Sequence, residues 1–272
     1  MTGHEDADPR TVPEAAAELD ESAIARAADL VAESDHLVAF TGAGVSTESG
    51  IPDFRSPGGL WERYDPSDFT IQALHSDPVA YWERRLEMRE GRDFSWEDVE
   101  PNPAHEAIAH LEAEGPLSTV ITQNVDGLHQ AAGSSHDAVL ELHGTRKHAK
   151  CLGCRQRLDL SILEGKLAEE DLPPRCDDCG GLLKRATVSF GESLPSAVLQ
   201  RAKREAQACD CFVVVGSSLT VEPAASLPRV AHRNGASVVI VNLDATPMDD
   251  EADVVAYGRA GDALPRIVDG AL

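Results

Sequence analysis

What most constrains this chain is a rhythm. Short apolar, β-branched runs alternate with stretches of helical periodicity, and five of the runs end in a polar cluster. Gly42-Ala43-Gly44 follows the run at 37–40, Gln123-Asn124-Val125-Asp126 the run at 117–122, and His143-Gly144 the run at 139–142. Gly216-Ser217-Ser218 and Asn242-Leu243-Asp244 follow the runs at 211–215 and 237–241. Strands of this kind, separated by helices, are the signature of a doubly wound parallel sheet, in which ligands bind at the carboxyl ends of the strands. Turn chemistry accounts for any one cluster, because Gly, Ser, Asn and Asp favour turns. Five in succession describe a cleft the size of a dinucleotide.

The expected helices span 13–33, 68–76, 77–90, 103–114, 196–208 and 223–233, with Pro78 in a first turn and Gly115-Pro116 as a stop. Further strands are expected at 186–190 and 253–256. The stretch 41–61, TGAGVSTESGIPDFRSPGGLW, is the chemical centre of the pattern. Gly42 and Gly44 permit close approach of backbone amides to a phosphate, and Ser46, Thr47 and Ser49 add hydroxyl donors. The motif is neither GxGxxG nor a Walker loop, so its weight comes from the other strand exits.

Six cysteines occur. Cys151-x2-Cys154 and Cys176-x2-Cys179 form two CxxC units, which in a chain of intracellular character read as a structural zinc site rather than disulfides. Cys209 and Cys211 flank Asp210 at a strand start, where at least one is expected in the core. The domain reading is a disordered acidic segment at 1–12, a Rossmann-like domain at 13–144 and 186–272, and a small zinc-binding module inserted at 145–185.

Charge decides which partners to set aside. With 47 acids against 24 bases the formal charge is −23, a surface that repels nucleic acid. Only five of the bases are lysines, and an acidic, lysine-poor chain suits a high-salt cytoplasm. No apolar run approaches membrane-spanning length and the N-terminus lacks a basic-then-apolar pattern, so a cytoplasmic protein without membrane attachment is expected.

In order, GAGVSTESGIPDFR, GLW, TQNVDGLH, LHG, the CxxC pair, FGESLP, GSSLTVEPAA and VNLD resemble sirtuins, the NAD-dependent protein deacylases, over residues 25–267. The resemblance implies a Rossmann-like domain, a small zinc domain and NAD between them. It implies transfer of an acyl group from a lysine side chain to ADP-ribose, with nicotinamide released, and acylated-lysine proteins as substrates. Gly42, Ala43, Gly44 and Thr47 match the pyrophosphate turn. Asp53, Phe54 and Arg55 match a cofactor flap, with Phe54 shielding the reacting ribose carbon and Arg55 contacting phosphate. Gln123, Asn124, Val125 and Asp126 match the residues that order the ribose and the nicotinamide amide. Gly216, Ser217, Ser218, Asn242, Leu243 and Ala260 match the adenosine side.

His143 matches the catalytic base, with Asn124 as its catalytic partner. Cleavage of NAD develops oxocarbenium character, the acyl oxygen attacks, and an imidazole must then deprotonate a ribose hydroxyl. His129, His136 and His148 are read as helix-end or surface residues. Val188, Phe190, Gly191 and Glu192 match the segment that pairs with the substrate backbone as an added strand. Cys151, Cys154, Cys176 and Cys179 would hold one structural Zn2+, with the nearby bases compensating the thiolate charge.

Family members that prefer succinyl or malonyl groups share a Tyr-x-x-Arg pair. Tyr81 and Arg84 have that spacing but begin one helical turn, about 5.4 Å, too early; the expected register falls on Arg85 and Met88. Acetyl is therefore favoured, and Tyr81 and Arg84 are taken as helix-surface residues. Competing readings are deacylation of longer or acidic groups, mono-ADP-ribosyl transfer to protein, and a zinc-ribbon scaffold that only senses NAD.

Overall fold

The computed structural model describes residues 19–53, 60–91, 95–96, 98–169 and 171–272. In chain order these form α1 (Glu21–Ala32), β1 (Leu37–Thr41), a 3-10 turn (Ala43–Ser49), α2 (Leu60–Arg63), a 3-10 turn (Pro66–Phe69), α3 (Ile71–Ser76), α4 (Pro78–Glu90) and α5 (Pro103–Glu114). There follow β2 (Leu117–Thr122), α6 (Leu128–Ala131), β3 (Val139–Glu141), β4 (Gly144–Cys151), β5 (Arg157–Asp159), α7 (Leu160–Ala168) and β6 (Leu183–Thr187). The last part runs through α8 (Ser196–Ala208), β7 (Cys211–Val215), α9 (Leu227–Arg233), β8 (Ser237–Asn242), β9 (Val254–Tyr257) and α10 (Ala260–Ala271).

Local chemistry sets the helix starts. The Asp20 side chain accepts from the backbone N–H groups of Ser22 and Ala23 to open α1. Asp77 accepts from Ala80 N–H to open α4, with Pro78 in the first turn where a missing donor costs nothing. Thr70 splits the helix expected at 68–76. It ends the preceding 3-10 turn in extended conformation, and its hydroxyl accepts from Ala73 N–H at 3.1 Å to begin α3.

A six-stranded sheet runs β3-β2-β1-β7-β8-β9, and every pair in it is parallel. The order reverses at β1. The chain builds outward through β2 and β3, then returns to β1's other edge with β7. A switch point of this kind opens a crevice at the carboxyl ends of the two central strands. All five residues of β1 are buried, in alternation. Leu37 and Ala39 join the core under α1, α5 and α10, while Val38 and Phe40 join the one under α8 and α9. Burying a ring such as Phe40 contributes about 1.5–3 kcal/mol.

The second sheet, β5-β4-β6, is antiparallel. The strand expected at 186–190 as a return into the large sheet instead ends at Thr187 and belongs to this small one, as β6. Alternation of Ala186, Val188 and Phe190 signals a strand but does not say which edge it joins. Leu74, Tyr81 and Trp82 of α3 and α4 share a core with Ala149, Cys151, Leu163 and Leu183, so this part of 66–90 packs against the small sheet.

A helix that the periodicity reading did not place, α10, closes the molecule. Its buried positions Ala260, Ala263, Leu264, Ile267 and Val268 follow helical spacing and face the same core as α1 and α5. Gly261, Pro265 and Gly270 mask that spacing to a breaker-based reading. The segment 223–233 resolves into a 3-10 turn at Ala224–Ser226 and then α9. The expected residues 13–18 of the first helix and the segment 1–12 lie outside the described residues.

Candidate active site

The turn after β1 lies directly against the turn after β7. Gly44 N–H donates to the Gly216 carbonyl at 2.8 Å, and Gly42 N–H to that of Val215 at 3.1 Å. A Cβ on Gly42 would fall 2.7 Å from the Gly216 oxygen, and one on Gly216, whose φ is +60°, would fall 2.3 Å from Val45 N. These glycines thus serve the contact between two strand exits, and the amides of Gly42 and Gly44 are engaged within the protein. Half-buried Ala43 and exposed Thr47 share the turn; the Thr47 hydroxyl donates to the Gly44 carbonyl at 3.0 Å. Glu48 anchors the turn from behind, accepting from Gly261 N–H at 2.7 Å beside buried Ala260.

A polar network lies beneath this turn. The Asn124 amide donates to the Gly42 carbonyl and to Ser46 Oγ, each at 3.0 Å. Ser46 Oγ donates to Asp126 Oδ2 at 2.9 Å, and Asp126 Oδ1 accepts from Leu128 N–H at the start of α6. Two histidines complete it. His105 Nε2 lies 3.4 Å from Ser46 Oγ, and His129 Nε2 lies 2.9 Å from Thr41 Oγ1, with the two rings 5.0 Å apart. Burial holds His105 down to about 4, against the opposing pull of Asp126, and holds His129 down to about 3, with His105 adding to the effect. His129 is 1% exposed, so of the two readings, helix end or surface, the structure keeps the helix and overturns the surface. It sits on the inward face of α6, a placement decided by tertiary packing. His105 stands three residues past Asn102, in the capping position of α5; that Asn-Pro-x-His signal is the one that could have found it.

His143 stands at the carboxyl end of β3. Its Nδ1 lies 2.8 Å from the Gln123 carbonyl, which can only accept, so Nδ1 carries the proton and Nε2 the lone pair. Burial lowers its pKa, and the carbonyl only partly offsets this, so the neutral form is favoured. Gln123 also donates from Nε2 to Ser217 Oγ at 2.9 Å, joining the exits of β2 and β7. Val125 accepts from Arg146 N–H. At the other end Ser217 is buried, the Ser218 hydroxyl is 3.0 Å from that of Thr220, and Asn242 donates to the Asp244 carbonyl. Leu243 is 54% exposed. Asp53 is half-buried; Phe54 and Arg55 lie outside the described residues.

Residues 188–192 form a turn at the mouth between the sheets. Val188 N–H donates to the His143 carbonyl at 2.7 Å, and the Phe190 carbonyl accepts from Ile71 N–H at 3.0 Å. Gly191 has φ +78°, and Phe190 at the tip is 44% exposed. The Glu192 carboxylate points away from the mouth, towards Lys184 and Lys150. On α4, Tyr81 is buried, which overturns its reading as a surface residue. Its hydroxyl accepts from Arg85 at 2.9 Å, while exposed Arg84 pairs with Asp68 at 3.2 Å.

The four thiols of Cys151, Cys154, Cys176 and Cys179 all lie within 4.8 Å of one another. A tetrahedral zinc with bonds of about 2.3 Å needs sulfurs about 3.8 Å apart, and the set fits that requirement. Gly153 N–H donates to Cys151 Sγ and Gly181 N–H to Cys179 Sγ, as thiolates require. A Cβ on Gly181 would reach within 3.0 Å of Cys151 Sγ, so these glycines keep the cradle open. Four of the surrounding bases have carboxylate partners: Lys150 and Lys184 face Glu192, Lys166 faces Asp177, and Arg185 faces Glu164. Cys209 and Cys211 are buried core residues whose thiols burial pushes up to about 12.

With this geometry in place, comparison with known proteins is specific. Residues 42–223 match the model of the Sir2 family. An NAD-dependent protein deacetylase of Haloarcula marismortui is 45% identical over 93% of this chain and 96% of its own. A solved structure described as a structural basis for the mechanism and regulation of Sir2 enzymes is 46% identical, with TM-score 0.81, covering 93% of this chain and 98% of its own. A Sir2–p53 peptide–NAD+ complex is 38% identical, with TM-score 0.79, over 89% of this chain and 95% of its own.

Proposed function

Because the chain belongs to the Sir2 family, we propose that it is an NAD-dependent protein lysine deacetylase, moving the acetyl group of an acetyl-lysine to ADP-ribose. His143 carries the reading. It is an imidazole kept neutral by burial, with Nδ1–H fixed on the Gln123 carbonyl and Nε2 left as the base atom. NAD, when bound, supplies an electrophilic ribose carbon and a nicotinamide leaving group. The chain's part is to bind, orient and take the proton. Asn124, Ser46 and Asp126 are bonded to one another as a polar floor that would hold the nicotinamide ribose, and His143 Nε2 would take up the proton of a ribose hydroxyl. Ala43 and Thr47 face the phosphates. Ser217, Ser218, Asn242, Leu243 and Ala260 hold the adenosine half.

Cys151, Cys154, Cys176 and Cys179 would hold one Zn2+ with no open position, as a staple for the small sheet. We assign residues 66–90 to that module together with 145–185, on the strength of their shared core. The substrate is an acylated-lysine protein entering beside residues 188–191. A neutral acyl group is favoured because Arg84 and Arg85 are already engaged by Asp68 and Tyr81. The −23 charge supports a cytoplasmic setting in concentrated salt, without nucleic-acid contact.

Nicotinamide release tests this, measured with an acetyl-lysine peptide at low and at multimolar KCl. Release that requires the acetylated peptide supports the proposal. Release with unmodified peptide, accompanied by ADP-ribosylated product, overturns it in favour of ADP-ribosyl transfer. A faster succinyl-lysine peptide would overturn the neutral-acyl assignment.

A further inference from the structure

The mouth at residues 188–192 is held from below by a charge cluster that no step of the proposed chemistry uses. Lys184, on β6, is 2% exposed, a rare degree of burial for an ammonium. Its Nζ donates to Glu192 Oε2 and to the Thr187 carbonyl, each at 2.8 Å. Lys150, its direct cross-strand partner on β4, donates to Glu192 Oε1. Ser189 N–H donates to Glu192 Oε2 at 3.1 Å, and Glu192 N–H donates back to the Ser189 carbonyl at 3.0 Å. Burial pulls Lys184 down to about 8, and hydrogen bonding with Glu192 counteracts it.

Glu192 thus closes a four-residue turn onto two lysines of the small sheet. That turn has its positive-φ glycine at the third position, as a type II turn requires. The preceding residue, Val188, donates to the carbonyl of His143 itself. The same turn therefore touches the small sheet, α3 through Phe190 and Ile71, and the residue assigned as base. Buried ion pairs are not efficient stabilisers, because desolvation offsets their attraction. What they do provide is a fixed geometry.

We propose that Lys150, Glu192 and Lys184 are positioning residues for the acyl-peptide site: they set the height and tilt of residues 188–191 relative to His143. The Glu192 side chain is therefore not a substrate contact. The inference rests on the deacetylase reading for its substrate, and the experiment separates the two.

The measurement is the KM for acetyl-lysine peptide and for NAD, with kcat, for the full chain carrying Glu192→Gln, Lys184→Met or Lys184→Arg. Misplacing the mouth is expected to raise the peptide KM by about 10- to 100-fold. The NAD KM should stay at its wild-type value, and Lys184→Arg should recover most of the loss. If Lys184→Met does not fold, Lys150→Met takes its place, at a side chain 25% exposed. A folded Glu192→Gln protein with unchanged peptide KM overturns the clamp, as does a rise in both KM values together. Amide hydrogen exchange gives a second readout that needs no turnover. Faster exchange at Val188, Ser189 and Glu192 in Glu192→Gln, with β1 unchanged, is expected. If the wild type deacylates no peptide, the functional reading fails; unchanged exchange in the folded variant then overturns the clamp by itself.

Discussion

Gly216→Ala is the sharpest test of how the nucleotide crevice is built. Gly216 has φ +60°, a left-handed conformation that costs an alanine roughly 1 kcal/mol. The larger penalty is steric. The new Cβ would sit 2.3 Å from Val45 N and 2.5 Å from Gly44 C, both backbone atoms that can yield only by moving the whole turn. Relieving the clash means parting the exits of β1 and β7, which breaks the Gly44 N–H bond to the Gly216 carbonyl and weakens its neighbour from Gly42. At roughly 1 kcal/mol per bond, the total comes to about 3 kcal/mol. For a chain of this size that is a fall in Tm of about 6–12 °C. Gly235→Ala supplies the control. Gly235 has φ +95° but nothing within 4 Å of its added Cβ, so it pays only the conformational cost, about 1 kcal/mol. Thermal unfolding of both variants, with the KM for NAD, is the assay. Gly216→Ala should lose stability well beyond Gly235→Ala and also weaken NAD binding. Equal losses of Tm, or an unchanged NAD KM in the Gly216 variant, would refute the account of the two turns as one packed unit.

Other outcomes follow from the same geometry. His143→Ala should fold and bind NAD yet lose deacetylation by about 10²–10⁴-fold, read as kcat on one acetyl-lysine peptide. Because burial lowers the His143 pKa, its base form persists into mild acid, so the acid limb of kcat/KM should lie below 6.5. His105 and His129 work against stability in acid. The unfolded chain takes up protons near 6.5, whereas the folded one resists to about 4 and about 3, so stability falls as pH drops through that window. Denaturant melts from pH 7 to 5 should show a slope that His129→Gln reduces. Chelation of the proposed zinc should melt the small sheet and abolish turnover together; full activity in metal-free protein would remove the metal's role as a staple.

How much of this was readable beforehand depends on the range of the interaction concerned. The doubly wound parallel class follows from strand composition and strand-exit clusters, which are local, and the CxxC spacing is local too; the strand order and its reversal at β1 rest on pairings between distant segments. His143 was legible as one of a series of strand endings, and its role as base through the family resemblance. His129 was not: its burial against Thr41 is a contact between residues 88 apart in sequence, and nothing in Gly-Leu-His marks it. The same holds for Glu192, whose neighbours suggest a substrate contact until the partners on β4 and β6 are seen. The allegiance of α3 and α4 to the small sheet likewise rests on pairings such as Tyr81 and Trp82 with Leu163 and Leu183. Periodicity reports that a face is apolar, and only the fold says which core receives it.

The chain enters the small sheet at Gly144 and leaves it at Thr187. Gly144 pairs with Thr187, and a Cβ there would fall 2.1 Å from the Ala186 carbonyl oxygen, so only a glycine permits the two strands to touch. The residue immediately before it is His143, whose carbonyl accepts from Val188 N–H on the returning strand. Both strands here grip the imidazole's own backbone. The small sheet is therefore tied directly to the backbone of the residue assigned as base.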